Sequence, residues 1–319
     1  MALHTIITTT HAQQIADVYQ LGAVQELTPI IAGSVNSNFS LRTSLGHFFL
    51  RLYEEQGCDG VTFEWQVLDL LSSLGATVPH RLKGPAPDAL LILGKPVALF
   101  SFVEGEELCR RLVTRDHFQT LGAALGSIHR GSTQLTDKRR GRFTSEALLQ
   151  RLSGIDLTSH PELRETVAVL RDSLLEAQAL WPAELAEGLI HGDLFRDNVL
   201  WRGLELVAIL DWESASYGAF LYDLVIVVHA WTFHDDFDWP QARAFLAAYQ
   251  QERPLQEAER RGLRAVAMFA ACRFAVTRIT DFYLRPNALQ SGYRDYRRFL
   301  QRLEIIQSMT NEELCQRLL

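Results

Sequence analysis

Apolar positions recur at helical spacing over residues 10–21, where Ile15, Val18, Tyr19 and Leu21 share one side. A strand begins at 28–31, and a run of small and polar residues, 32–38, breaks it. Phe39 and Leu41, then Phe48, Leu50 and Leu52 beyond a turn at Leu45 and Gly46, alternate with other residues and predict two strands. The helical period returns over 61–74, with Phe63, Val67, Leu70, Leu71 and Leu74 as the apolar face, and the run Gly75 to Pro79 ends it. Further strands are predicted at 89–93 and 96–103, joined through Gly94 and Lys95. These segments make a mostly antiparallel sheet with one helix.

Beyond residue 105 the period is largely helical. Helices are predicted at 115–130, with Phe118, Leu121, Leu125 and Ile128 on one face, and at 162–181, closed by Pro182. Another starts near Tyr222, and three more are predicted at 241–252, 257–284 and 293–307. The exception is 188–212: Leu189 and Ile190 form a short apolar strand, a polar loop follows, and a second apolar segment closes on Asp211. The class is therefore α+β.

Composition narrows the function. With 319 residues, 47% hydrophobic and 22% charged, the chain reads as soluble and globular, large enough for one domain or two lobes. A net charge of -7 gives no electrostatic footprint for nucleic acid. The N-terminus lacks a basic stretch followed by an apolar core, so no secretory signal is expected. No apolar run reaches the roughly 18 residues of a membrane span; residues 221–231 are broken by Asp223 and His229. The four cysteines, Cys58, Cys109, Cys272 and Cys315, are scattered without metal or redox spacing, which suits a cytoplasmic protein.

Chemistry concentrates in 188–212. His191, Asp193, Asn198 and Asp211 fall in the loop or at the ends of the apolar runs. Oxygen-bearing groups gathered at one point suit a hard cation, and magnesium binds through one or two protein oxygens plus phosphate. Four residues separate Asp193 from Asn198, the spacing of the Asp and Asn of a kinase catalytic loop. Asp and Asn also favour turns for local reasons; His191 ahead and the apolar run closing on Asp211 behind favour the chemical reading. Small polar residues at 33–38 between strands either offer backbone N–H groups to phosphates or make an ordinary hairpin. A carboxylate such as Asp223, set in an apolar helix, must be hydrogen-bonded or paired. Asp235, Asp236 and Asp238 read as a helix-start loop rather than a metal site.

The stretch His-Gly-Asp, Asn198, Leu-Asp-Trp resembles the small-molecule kinases of the aminoglycoside-phosphotransferase and choline-kinase-like superfamily, whose loops read His-Gly-Asp or His-Ala-Asp, then Asn, then Ile-Asp-Trp or Ile-Asp-Phe. Residues 194–200, Leu-Phe-Arg-Asp-Asn-Val-Leu, are similar to the homoserine kinases of that fold, as are Gly33 to Phe39 and the run from Arg273 to Asp281. The resemblance implies a two-lobed protein-kinase-like fold: a nucleotide-binding lobe over 1–104 and a helical catalytic and acceptor lobe over 105–319. It implies ATP and Mg2+ as cofactors and transfer of the γ-phosphoryl to a small-molecule hydroxyl, with L-homoserine first.

In that reading Asp193 accepts or orients the hydroxyl proton, and Asn198 and Asp211 hold the metal. Gly33, Ser34 and Asn38 lie over the phosphates, Arg51 pairs with Glu64, and Phe102 and Val103 meet the adenine through backbone groups. His191 and Asp223 brace the loop. Arg278 and Asp281 either bind an amino acid's carboxylate and amine or form an internal helical salt bridge. The chain departs from the family pattern in three places and from the protein-kinase loop in one. Arg51 replaces the usual Lys and is bulkier and planar. His-Gly-Asp lacks the Arg that answers a phosphorylated activation loop in protein kinases. Gly192 stands where homoserine kinases often have Ala, and Trp212-Glu213-Ser214-Ala215 replaces their aromatic-rich run. An aminoglycoside, another amino alcohol and a protein serine stay open as acceptors. Arg51 also leaves open a nucleotide-binding pseudokinase that acts as an interaction module.

Overall fold

Thr8 opens the first helix: its hydroxyl accepts from the His11 amide while the His11 ring accepts from the Thr8 amide, a reciprocal cap. The computed structural model describes residues 5–30, 36–132, 137–285 and 294–319. Its elements run α1 (Thr9–Val18), β1 (Val24–Ile30), β2 (Ser37–Thr43), β3 (Gly46–Leu52), α2 (Cys58–Ser73), β4 (Leu91–Ile92), β5 (Lys95–Ser101) and β6 (Glu106–Glu107). They continue α3 (Arg115–Gly131), α4 (Ser145–Ser153), α5 (Arg164–Ala179), β7 (Glu187–Ile190), β8 (Val199–Arg202), β9 (Glu205–Ile209) and β10 (Ser216–Ala219). The last are α6 (Phe220–Trp231), α7 (Trp239–Glu252), α8 (Glu257–Arg278), α9 (Arg297–Gln307) and α10 (Asn311–Leu318). The class is α+β, as expected.

Two compact units result: Met1–Glu107 with Val199–Glu213, and Leu108–Asn198 with Ser214–Leu319. The hairpin β8–β9, which a linear reading leaves with the helices, groups with the first unit, where β8 also pairs with β6.

The first unit is built on a five-stranded antiparallel sheet in the order β1-β2-β3-β5-β4. Register sets Phe39 opposite Leu50 and Leu50 opposite Leu99, with Leu52 opposite Val97. These side chains and Leu41 are buried with Ala12, Ile15 and Ala16 of α1 in one apolar cluster. Side chains alternate across a strand, so Asn38 and Arg51, paired in the next register position, stand on the other face of the sheet.

In the second unit α6 is buried over its whole length. Its carboxylate, Asp223, and its histidine, His229, both bond to partners within the unit. Helices α3 and α7 cross closely: a Cβ on Gly122 would sit 2.2 Å from the Phe245 carbonyl oxygen, and one on Gly126 2.9 Å from that of Tyr249. α8 ends in a wider five-residue turn, Ile279–Tyr283, rather than continuing regularly to 284. Among the described residues no helix is long and apolar enough to cross a membrane.

Candidate active site

Strand β7 delivers the chain to His191, and β10 holds it in place, with Ser216 opposite Ile190. The bend that follows is organised by Asp223, which is fully buried in the first turn of α6. Its two oxygens accept from the amides of His191 (2.6 Å) and Gly192 (2.8 Å), and His129 Nε2 lies 3.3 Å from Oδ2. Burial holds the His129 ring below its ordinary value, so it serves as a neutral brace, tied also to the Tyr249 hydroxyl at 2.9 Å. Gly192 has φ +75°, and a Cβ there would meet the Ser214 carbonyl oxygen at 2.9 Å. The left-handed turn and the crowding both select glycine. His191 Nδ1 accepts from the Asp193 amide at 3.2 Å, so this histidine braces the loop, as its sequence reading expects.

That bracing makes Asp223→Ala strongly destabilising, by about 3 kcal/mol or more, because two buried N–H groups lose a charged acceptor. Chemical denaturation measures the loss; a cost under about 1 kcal/mol would show that the loop holds itself.

The bend presents Asp193. Its Oδ1 accepts from Arg273 Nη1 at 3.0 Å, and the side chain is 34% exposed. Oδ2 has no partner among the described residues and remains available to an incoming hydroxyl. Asn198 donates its Nδ2 to the Asp193 carbonyl at 2.8 Å, which leaves the amide oxygen as its free end. Arg273 is buried on α8 with its guanidinium 4.2 Å from the Phe143 ring centroid and 3.8 Å from that of Phe274. Sequence reasoning gives Arg273 no role; its one signal is the Arg-Phe pair within the resemblance. Of the two readings of Arg278 and Asp281, the internal salt bridge does not form. Asp281 pairs with Arg151 at 2.7 Å, while Arg278 donates to the Asp295 carbonyl at 3.1 Å. The wider turn after Arg278 removes the regular spacing such a bridge needs.

In the first unit Arg51 reaches Glu64 (Nη1 to Oε1, 3.3 Å), Asn38 (Nε to Oδ1, 3.4 Å) and Asp211 (Nη1 to Oδ1, 3.7 Å). The expected ion pair is present, and Asp211 shares its cation. Asp211 sits at φ +58° just beyond β9, and its Oδ1 is shielded without a hydrogen-bond partner although the side chain is 43% exposed. Burial alone would lower the Arg51 guanidinium, but Glu64 and Asp211 more than reverse this and hold it above its ordinary value. Burial pushes the Glu64 carboxyl up to about 7; Arg51 pulls it back, and the Asp211 and Glu213 charges add to the rise. One cation thus answers three acids. Phe102 follows β5, its amide bonded to the His47 carbonyl and its ring stacked on the His47 ring at 3.7 Å; Phe102 and Val103 are half-buried. Gly33 and Ser34 lie outside the described residues.

The raised Glu64 value gives a pH dependence. The folded carboxyl holds its proton up to about pH 7, and the unfolded one only to about 4.5. Its contribution is complete below the unfolded value and is lost as pH rises through the folded one, by an amount on the order of 3 kcal/mol. Glu64→Gln should flatten the fall in denaturant stability between about pH 5 and pH 7. An unchanged slope would remove Glu64 as its source.

A two-unit α+β chain that offers a loop carboxylate on one unit and a strand cation with an acidic cluster on the other has the parts of a kinase-like phosphotransferase. The chain belongs to the APH family, the phosphotransferase enzyme family, which its residues 26–266 match, and is a kinase acting on a hydroxyl. It is 31% identical to a homoserine kinase of Methylocella silvestris over 97% of either chain. It is 32% identical to one of Nitrobacter hamburgensis, over 98% of this chain and 96% of that one. Its fold is similar to an amicoumacin kinase solved with AMP-PNP, Ca2+ and Ami, at TM-score 0.72 and 18% identity over 97% of both chains. A spectinomycin phosphotransferase solved with ADP and spectinomycin gives 0.68 at 14% identity, over 94% of this chain and 98% of that one. At such identities these two structures speak for the fold alone.

Proposed function

We propose that the chain transfers the γ-phosphoryl of ATP to the hydroxyl of L-homoserine. The observation that carries the chemistry is Asp193, fixed through one oxygen by Arg273 and open at the other within a His-Gly-Asp…Asn loop. The full-length similarity to homoserine kinases supports the acceptor. Residues 1–104 would serve the nucleotide and 105–319 the chemistry and acceptor, with Phe102 and Val103 at the adenine and Gly33, Ser34, Asn38, Arg51 and Glu64 around the phosphates. The four cysteines are free thiols, in keeping with a cytoplasmic enzyme.

The residues fit Mg2+. Among the described residues no group of three His, Cys, Asp or Glu side chains is gathered as ligands, but magnesium requires only one or two protein oxygens beside phosphate and water. The shielded Asp211 Oδ1, which has no hydrogen-bond partner, and the free Asn198 amide oxygen are oxygens of that kind. Asn198 and Asp211 would hold the ion, which supplies neutralisation of phosphate charge. Asp193 orients the acceptor hydroxyl in line and takes its proton as the bond forms; Arg273 keeps the carboxylate aimed. Little covalent help is needed, because the transition state is loose and positioning does most of the work.

ADP release with L-homoserine, ethanolamine and kanamycin as acceptors tests the proposal. Turnover should depend on homoserine and on Mg2+. Tight ATP binding with no acceptor consumed would instead mean a binding module, and turnover of kanamycin alone would overturn the acceptor.

A further inference from the structure

Four side chains outside the loop form a line of hydrogen bonds that ends on Asp223. Gly122 and Gly126 let α7 approach α3, and Gly126 lies one turn before His129 on the same side of the helix. That approach brings the Tyr249 hydroxyl to 2.9 Å from His129 Nδ1. Arg253, just past the end of α7, places Nη1 3.1 Å from the same hydroxyl. Both oxygens of Glu259 hold Arg253 in turn, at 3.0 and 3.2 Å, and Glu259 is fully buried on α8.

The direction of each bond follows. A guanidinium only donates, so the Tyr249 oxygen accepts from Arg253 and its single proton goes to His129 Nδ1. Burial holds that phenol above its ordinary value although Arg253 works against this, so the proton is retained. Nδ1 therefore presents its lone pair, and Nε2 carries the hydrogen that Asp223 Oδ2 accepts at 3.3 Å. Donation to Nδ1 favours the neutral ring over the imidazolium. A neutral ring leaves Asp223 its full charge for the amides of His191 and Gly192. The charged groups that face His129 are Asp223 from α6, Arg253 from the end of α7 and Glu259 from α8. Phe220 covers the ring, stacked at 4.5 Å, and carries the Arg253 guanidinium over its own ring at 4.5 Å.

We propose that Tyr249 is a positioning residue for phosphoryl transfer: acting through His129 and Asp223, its hydroxyl holds the bend that presents Asp193. This rests on the reading of Asp193 as the group that orients the acceptor hydroxyl, not on which acceptor is used. Without the hydroxyl, His129 keeps its place but loses the donor that fixes its ring, and the bend loosens at its far support.

The test uses the full chain with ATP, Mg2+ and L-homoserine. Tyr249→Phe keeps the ring that packs on His129 and removes the hydroxyl alone. It should lower kcat by about 10-fold and leave KM for both substrates within about 2-fold. The backbone amide resonances of His191 and Gly192 should move in the same variant, measured without substrates. His129→Gln should lower kcat by a similar factor, and adding Tyr249→Phe to it should cost less than about 2-fold more, because the two act in series. Melting curves report whether each variant folds; should His129→Gln not fold, the kinetics and amide resonances of Tyr249→Phe decide alone. Wild-type kcat in Tyr249→Phe would overturn the proposal, as would a loss confined to KM or to stability, unmoved amide resonances, or losses that multiply in full in the double variant. A wild type that turns over no L-homoserine would retire the acceptor reading, and the amide resonances would still decide this one.

Discussion

Asp193→Ala should lower kcat by ~10³-fold or more while leaving ATP affinity within a few fold. The size follows from what the side chain does. Its Oδ2 is the carboxylate oxygen without a partner among the described residues, and Arg273 holds the carboxylate from behind through Oδ1. That placement suits a loose transition state, in which the hydroxyl must be aligned early and gives up its proton late. Alanine removes both functions and also leaves the buried Arg273 guanidinium without its counter-charge, so some loss of stability accompanies the loss of rate. Asp193→Asn separates the two. Its amide oxygen can still accept from Arg273, so stability should be largely kept while kcat stays low. Steady-state kinetics with melting curves for both variants decide the matter; an Asn variant within about 10-fold of wild type would remove Asp193 from the chemistry.

The sequence made the sheet legible because alternation leaves few choices. With Leu50 and Leu52 on the core face, Arg51 must stand on the other, and that alone puts it where Asn38 and Glu64 can be reached. The need of Asp223 for partners was equally legible, since a carboxylate inside an apolar helix cannot stand alone. Which partners it takes was not: they are main-chain amides 32 and 31 residues away. Arg273 lies 80 residues from Asp193, and no local pattern encodes that pairing. The salt-bridge alternative for Arg278 and Asp281 needs a regular helix through 284, and the wide turn at Ile279–Tyr283 excludes it. β10, Ser-Tyr-Gly-Ala, has little strand propensity and exists because β7 pairs with it. α10 carried an unread local signal: Thr310 and Glu313 form a reciprocal cap whose Thr-x-x-Glu spacing is plain in the sequence.

Asp211→Asn should cost orders of magnitude in turnover and shift Mg2+ dependence to much higher concentrations, yet leave the fold as stable as before or more so. The opposite signs come from one cluster. Asp211, Glu64 and Glu213 share Arg51, and the Asp211 charge helps to raise Glu64 toward 7. Removing that charge relieves repulsion in the protein without its ligands. It also takes away the anionic oxygen proposed for the metal, and a neutral amide oxygen is a poorer partner for a hard cation. Asparagine is the right probe because residue 211 sits at φ +58°, where Asn and Asp are tolerated far better than Ala. Alanine would add backbone strain to the loss of charge and confuse the two. Glu64 provides an independent readout: with Asp211 neutral its carboxyl should titrate lower, so the loss of stability with rising pH should end at a lower pH and be smaller. Near-normal activity with unchanged Mg2+ dependence in Asp211→Asn would show that the metal is held elsewhere. A marked fall in stability would show that Asp211 belongs to the scaffold.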